Sequence, residues 1–183
     1  HDNTLALARA HADDAIVAAR GRAVQMNAGA ALGWGEVLLF LHADTTLPAQ
    51  ADAHLMRALT HGHVWGRFDV HIAGRSKMLP VVATLMNWRS RWTGIATGDQ
   101  AMFMRRKAYV QVGGFAAQPL MEDIEMSRRL RMLGAPACLR QRVTTSGRRW
   151  EQRGVWRTIV LMWRLRWRYW RGESAQALAE DYR

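Results

Sequence analysis

The chain has a single cysteine, no long uncharged apolar run, no internal repeat and no stretch rich in proline, glycine or serine. With Cys138 alone no intrachain disulfide can form, a usage that fits a reducing compartment. The thiol follows Ala135-Pro136-Ala137 and reads as a buried structural group in a short strand. No segment reaches the ~20 apolar residues that a membrane-spanning helix needs. No signal-peptide pattern opens the chain at His1. Without linkers or low-complexity tracts, 183 residues at 49% hydrophobic and 22% charged describe one globular domain able to bury a core.

Acidic residues are scarce where basic ones are concentrated. The formal charge is +11, yet residues 1–91 carry nine Lys/Arg against seven Asp/Glu. Residues 139–172 carry ten Arg and one Glu, +9 from that segment alone. A polyanion, an anionic membrane surface and a phosphorylated substrate all suit such a segment.

Strand-like and helix-like segments alternate. Thr4 to His11 reads as a helix capped by Asp2 or Asn3, Ala15 to Ala18 as a short strand, and Arg22 to Leu32 as a helix ending near Gly33. Glu36 to Leu41 reads as the strongest strand, apolar without a break from Val37 on, which suits a central parallel strand covered on both faces. A helix follows from Pro48 toward Leu59, then a strand over Val64 to Ile72 and a helix over Lys77 to Trp92. Ala101 to Met104 is a strand, Arg105 to Val112 a helix before Gly113-Gly114, Glu122 to Leu133 a helix, and Ala137 to Val143 a late strand. The alternation predicts an α/β fold with a mostly parallel sheet.

The chemistry concentrates in a few motifs. Pro119-Leu120-Met121-Glu122-Asp123-Ile124-Glu125 crowds three carboxylates at a helix start. Their mutual repulsion can raise one pKa into the range of a general base, while the helix N-terminus offsets part of their charge. An acidic helix cap is the plain alternative. Leu41-His42-Ala43-Asp44-Thr45 follows the strongest strand, and ligands in open α/β sheets sit beyond the carboxyl ends of strands. Asp44 with His42 can ligate a divalent cation that bridges a diphosphate, since Mg²⁺ or Mn²⁺ takes one or two carboxylates besides phosphate. Alternatively Asp44 caps the next turn and His42 is structural. Arg20-Gly21-Arg22 through Asn27-Ala28-Gly29 can meet a nucleotide at a loop-to-helix transition, or is an ordinary amphipathic helix. Ser146-Gly147-Arg148-Arg149-Trp150 can pair Arg with phosphate and an indole with a sugar face, or is a solvated basic loop.

Taken in order, Arg-Gly-x4-Asn-x-Gly, Leu-His-Ala-Asp-Thr, Gly-Asp-Gln-x-Met-Phe, Gly-Gly-Phe, Pro-Leu-Met-Glu-Asp and Ser-Gly-Arg-Arg-Trp resemble family 2 glycosyltransferases of the GT-A fold. The similarity is greatest to a bacterial subgroup found beside radical-SAM, selenium-associated or arsenosugar genes. The resemblance implies a Rossmann-like partial GT-A domain over residues 1–150, with residues 151–183 a basic, Trp-rich helical segment of the same domain. It implies metal-assisted transfer of a sugar from a nucleotide-sugar to an acceptor hydroxyl with inversion. Asp44 would hold a Mg²⁺ or Mn²⁺ ion and the diphosphate, and His42 stands where the family has its first metal-site acid. Asp123 would be the catalytic base, with Glu122 beside it. Gly98, Asp99 and Gln100 would line the donor and acceptor pocket, Arg22 and Asn27 would flank the nucleotide base, and Arg149-Trp150 matches the end of the family's Gln-x-x-Arg-Trp motif, with Ser146 in place of Gln. The resemblance further implies that the chain starts just after the family's Asp-Gly-Gly-Ser loop, an N-terminal truncation that removes the first strand-helix-strand unit.

From Arg153 to Arg171 the pattern is helical. Trp156, Val160, Trp163, Trp167 and Trp170 fall on one stripe, and Arg157, Arg164, Arg168 and Arg171 on another. Indoles and Arg together suit a membrane–water interface, so the expected location is cytoplasmic and peripheral to the inner membrane face. The alternative packs the indoles on the domain. An acceptor that is lipid-linked or a small molecule, and a non-catalytic module binding anionic membrane, both follow from this segment. Nucleic acid is not expected, because the basic residues are confined to one helix and no recognised binding fold accompanies them.

Overall fold

The expected alternation of helices and strands is present in the computed structural model, which describes residues 3–182. In chain order the elements are α1 (Thr4–His11), α2 (Arg22–Leu32), β1 (Val37–Phe40), β2 (Thr45–Thr46), α3 (Ala51–Thr60), β3 (Trp65–Ala73) and α4 (Leu79–Thr93). A short 3₁₀ turn (Gly98–Gln100) leads into β4 (Met102–Arg105), followed by α5 (Arg106–Gln111), α6 (Glu122–Arg131) and β5 (Ala137–Ser146). Helices α7 (Arg148–Arg153), α8 (Val155–Trp170) and α9 (Ala175–Tyr182) close the fold. Asp2, one of the two expected caps of α1, lies outside the described residues. Asn3 makes no side-chain cap hydrogen bond. Residues 15–18 form no strand, and Ile16 and Val17 are exposed.

The five strands form one sheet in the order β1-β4-β3-β5-β2. Only β3 and β5 pair in parallel; β1 with β4, β3 with β4 and β2 with β5 are antiparallel. The sheet is therefore mixed rather than mostly parallel. β1, β3 and β5 run in one direction, and β4 is inserted between β1 and β3 in the other. The apolar run of β1 reports coverage of both faces, not parallel neighbours. Leu38 packs with α2 on one face while Val37 and Leu39 meet the opposite core, and β1 itself lies at the sheet edge.

Side-chain alternation distributes the core to both faces. On one face Phe68, Val70, Ile72, Phe103 and Val143 pack against α3 and α4 through Leu55, Leu59, Leu79 and Val82. On the other, Met102 and Met104 meet α2, α5 and α6 through Ala23, Ala30, Ala108, Met126 and Leu130. β3 is squeezed between its neighbours: a Cβ on Gly66 would fall 2.5 Å from the Ala137 carbonyl and 2.6 Å from the Phe103 ring. A third, smaller cluster joins Leu120 and Met121 to Leu165 of α8 and Leu178 of α9. The C-terminal helices are thus fastened to the loop that carries Glu122 and Asp123. Cys138 is half-buried on β5 rather than fully enclosed. Among the described residues no helix is long and apolar enough to cross a membrane.

Candidate functional site

Sheet register brings the acidic motifs to one edge. Phe40 pairs with Met102, so the chain leaving β1 toward His42 and Asp44 lies across from the chain entering β4 through Asp99. The pairing of Thr45 with Thr145, reinforced by a 3.0 Å hydrogen bond from Thr45 Oγ1 to Thr145 Oγ1, holds the end of β5 beside the same loop. There the Ser146 N–H donates to the Asp44 carbonyl at 3.2 Å. Asp123 joins from α6 by accepting the Gly98 N–H on Oδ2 at 2.9 Å. The result is a cavity of about 1740 Å³ lined by Arg22, His42, Asp44, Asp99, Asp123 and Arg149, among others.

Gly98 is the hinge of this arrangement. A Cβ there would lie 2.3 Å from His42 Nε2, so only glycine lets the imidazole lie against the turn. The other ring nitrogen, Nδ1, is 3.2 Å from Asp99 Oδ1. That hydrogen bond, aided by the Asp99 charge and opposed by burial, raises the His42 pKa above its ordinary 6.5.

The two carboxylates of the Glu122-Asp123 pair occupy different surroundings. Asp123 Oδ1 accepts the Ile124 N–H at 2.8 Å at the start of α6, and its side chain lines the cavity. Glu122 is 2% exposed, receives Arg22 Nε on Oε1 at 2.8 Å and leaves Oε2 without a partner. Burial, then the Asp123 charge, pushes the Glu122 pKa up, with Arg22 pulling against them. Met121, immediately before, sits at φ 64°, a left-handed conformation uncommon for a non-glycine residue and frequent at functional turns.

Arg149 reaches the cavity from α7 and lies over the Tyr182 ring, 4.9 Å from its centroid. Burial first, then the charges of Arg153 and Arg22, lower its pKa. Trp150 lines the cavity and also packs against the α3–α4 core. The expected basic loop at Ser146–Trp150 is a strand end turning directly into α7; a Cβ on Gly147 would meet the Ala73 carbonyl at 2.6 Å.

Two residues expected at the site are elsewhere. Asn27 is spent inside the fold: Oδ1 accepts the Tyr109 hydroxyl at 2.6 Å and the Phe115 N–H at 2.9 Å, while Nδ2 donates to the Phe115 carbonyl at 2.9 Å. Gln100 is buried, closing a capping box with Thr97 and donating to Asn87 Oδ1 at 3.3 Å. Neither lines the cavity.

Among the described residues no group of three or more His, Cys, Asp or Glu is placed to hold a metal ion. His42 is engaged at Nδ1 by Asp99, and its Nε2 faces the Gly98 turn. The Asp44 side chain makes no hydrogen bond or ion pair among the described residues, which fits a single carboxylate shared with a phosphate-borne cation.

Arg89 and one face of α4 also line the cavity, and neither lies in any of the sequence motifs. Arg89 lines the cavity with Nε and Nη2 buried and without partners. Burial lowers its pKa to about 10, with Asp123 opposing and Arg67 reinforcing that shift. Val81, Leu85, Trp88 and Trp92, at i, i+4, i+7 and i+11, are exposed on the face of α4 opposite its buried Leu79, Val82 and Ala83. That second apolar stripe was readable as a spacing. On α8 the indoles do not pack on the domain: Trp156, Trp163, Trp167 and Trp170 are exposed, the last at 81%. Leu161, Met162, Leu165 and Tyr169 face inward instead. Arg168, one of the α8 arginines, is ion-paired with Glu173 and Asp181.

No family model, no curated protein and no solved structure matches this chain.

Proposed function

We propose that the protein is an inverting, metal-assisted glycosyltransferase of the family 2 type, using a nucleotide-sugar donor in a GT-A-like fold. The observation that carries the reading is the meeting of Asp44, Asp99 and Asp123 with Arg22 and Arg149 around one cavity, although the motifs lie far apart in the chain. Transfer of a glycosyl group needs an anionic leaving group stabilised, a hydroxyl deprotonated and water kept away. In this reading Asp44 holds a Mg²⁺ or Mn²⁺ ion, which when bound neutralises charge on the donor diphosphate. Arg22 and Arg149 add positive charge beside the same group. Asp123 accepts the acceptor proton as the acceptor oxygen bonds to the anomeric carbon. The bond from that carbon to the diphosphate oxygen breaks, and its electron pair leaves with the nucleoside diphosphate. Gly98 and Asp99 line the pocket, His42 holds Asp99, and Glu122 orders Arg22 behind the base.

Calorimetry with UDP-sugars and GDP-sugars, with and without Mn²⁺, tests the reading. Saturable binding that strengthens with Mn²⁺ and weakens in Asp44→Ala is expected. No nucleotide binding, or an Asp44→Ala variant indistinguishable from the parent, ends it. Exposure of the α8 indoles favours a second reading, a non-catalytic module on anionic membrane. That reading expects flotation with anionic liposomes, lost when Trp163 and Trp167 become Ala, and no nucleotide binding.

A further inference from the structure

The cavity has two kinds of wall. At the sheet edge it is polar, with Asp44, Asp99 and Asp123. Away from the sheet it opens between α4 and α8, whose unpartnered apolar faces both line it. Trp92 is 84% exposed, and the Trp88 and Trp92 rings pack tilted at 32° with 5.4 Å between centroids. Each helix already buries one apolar face in the domain, α4 through Leu79 and Val82, α8 through Leu165. A second apolar face opposite the first has no role in stabilising the monomer, since leaving indoles in water forgoes the burial energy of large aromatic side chains.

Where the apolar walls approach the acidic end stands Arg89. Its Nε and Nη2 are removed from solvent and donate to nothing. Asp123 acts on it only at longer range, without a direct ion pair. A buried guanidinium with idle donors is costly unless an acceptor arrives. Phosphate oxygens are the planar guanidinium's natural partners. Arg148 and Arg166, which also line the cavity, make the surroundings more favourable to an anion.

We propose that the acceptor is a lipid amphiphile with a phosphate-bearing, hydroxylated head group: its chain lies between α4 and α8 on Trp88, Trp92, Trp163 and Trp167, its phosphate meets Arg89, and its hydroxyl reaches Asp123. This acceptor class rests on the transferase reading. The apolar wall sets which molecules enter, Arg89 sets how deep the head group goes, and Asp123 acts on the hydroxyl delivered there.

The test uses the whole chain and 1-lauroyl-lysophosphatidylglycerol below its micelle concentration, followed by tryptophan fluorescence. Glycerol 3-phosphate supplies the phosphate without a chain, and monolaurin supplies the chain without phosphate. Saturable binding of the lysolipid, tighter than either fragment, is expected. Arg89→Gln should weaken the lysolipid by about ten-fold or more while leaving monolaurin unchanged, as for loss of a charge-assisted hydrogen bond. Trp88→Ala with Trp92→Ala, at exposed positions that the fold does not need, should weaken lysolipid and monolaurin together. The proposal is overturned if the lysolipid binds no better than monolaurin, or if the double Trp variant binds as the parent does. It is also overturned if only phosphatidylglycerol vesicles, and not the monomeric lysolipid, are bound. The donor nucleotide is titrated in parallel. Nucleotide binding without lysolipid binding removes the acceptor assignment alone. Lysolipid binding without nucleotide binding leaves the amphiphile site standing and removes the transferase.

Discussion

Replacing Gly98 by Ala should move His42 and change how the site titrates, while leaving the fold intact. The new Cβ would sit 2.3 Å from Nε2 and 2.5 Å from Cε1 of the ring, far inside contact distance. Both atoms lie at the end of a side chain that can rotate, and no backbone atom is among the close contacts. The ring therefore swings out and gives up its 3.2 Å hydrogen bond to Asp99. A hydrogen bond between charged partners contributes about 1.5–3 kcal/mol when dry. Here the side chains are 25% and 40% exposed, so solvent screening leaves about 0.5–1 kcal/mol. For a domain of this size that corresponds to a few degrees of melting temperature at most, at roughly 2–4 °C per kcal/mol.

The pH dependence is the sharper readout. The folded His42 pKa is raised, chiefly by Asp99, so its contribution is fully present below the unfolded value of 6.5 and is lost as pH rises through the folded value. The charge-dependent part of the Gly98→Ala deficit should thus be present at pH 5.5 and fall away as pH rises through the folded His42 pKa, leaving the pH-independent cost of moving the ring. NMR titration of the histidine Cε1 protons should show one resonance moving to a lower pKa in the variant. An unchanged set of histidine titrations, or a deficit that grows with pH, would refute this account of the His42–Asp99–Gly98 contact.

Asp69 accepts hydrogen bonds from the buried Arg67 and from both terminal nitrogens of Arg91, the latter at 2.8 Å each. Asp69→Ala strands the fully buried Arg67 charge and should cost about 3–5 kcal/mol by urea unfolding; a loss below 1 kcal/mol would contradict the pairing. Glu122→Gln keeps an acceptor for Arg22 but removes the titration. Because burial raises the folded Glu122 pKa, the parent protein loses stability as pH rises from about 4.5 through that value. The variant should therefore gain on the parent in unfolding midpoint as pH rises from about 4.5 through the folded Glu122 pKa, and no gain anywhere above pH 4.5 would contradict the burial argument.

Helix positions were largely legible, because Arg22–Leu32, Leu79–Thr93 and Glu122–Arg131 carry their own spacing and stop near glycine or a polar turn. Strand direction was not. The apolar run Val37–Phe40 reports burial on both faces, which an edge strand covered by helices shares with a central parallel one. The acidic motifs were legible as a set, and the register Phe40–Met102 supplied the convergence that spacing alone left open. The inward placement of Asn27 and Gln100 was not legible, since amides look alike in sequence whether they face a ligand or close an internal network with Phe115 or Thr97. Arg89 was invisible for the converse reason: an arginine on an amphipathic helix ordinarily reaches solvent, and only packing shows that two of its nitrogens do not. On α8 the periodicity correctly separated two faces, but which face meets the domain depended on Leu165 fitting between Leu120, Met121 and Leu178.

The central claim is that Asp123 serves as the base of a sugar transfer. Asp123 accepts the Gly98 N–H on Oδ2 and the Ile124 N–H on Oδ1. Asp123→Asn keeps an oxygen for one of them and gives up the other, a cost of about 1–3 kcal/mol that the fold should survive, with melting temperature measured beside activity. Single-turnover transfer from the donor that binds, to lysophosphatidylglycerol, should fall by about 10²-fold or more in Asp123→Asn with donor affinity unchanged. Transfer at the parent rate in that variant would contradict the account.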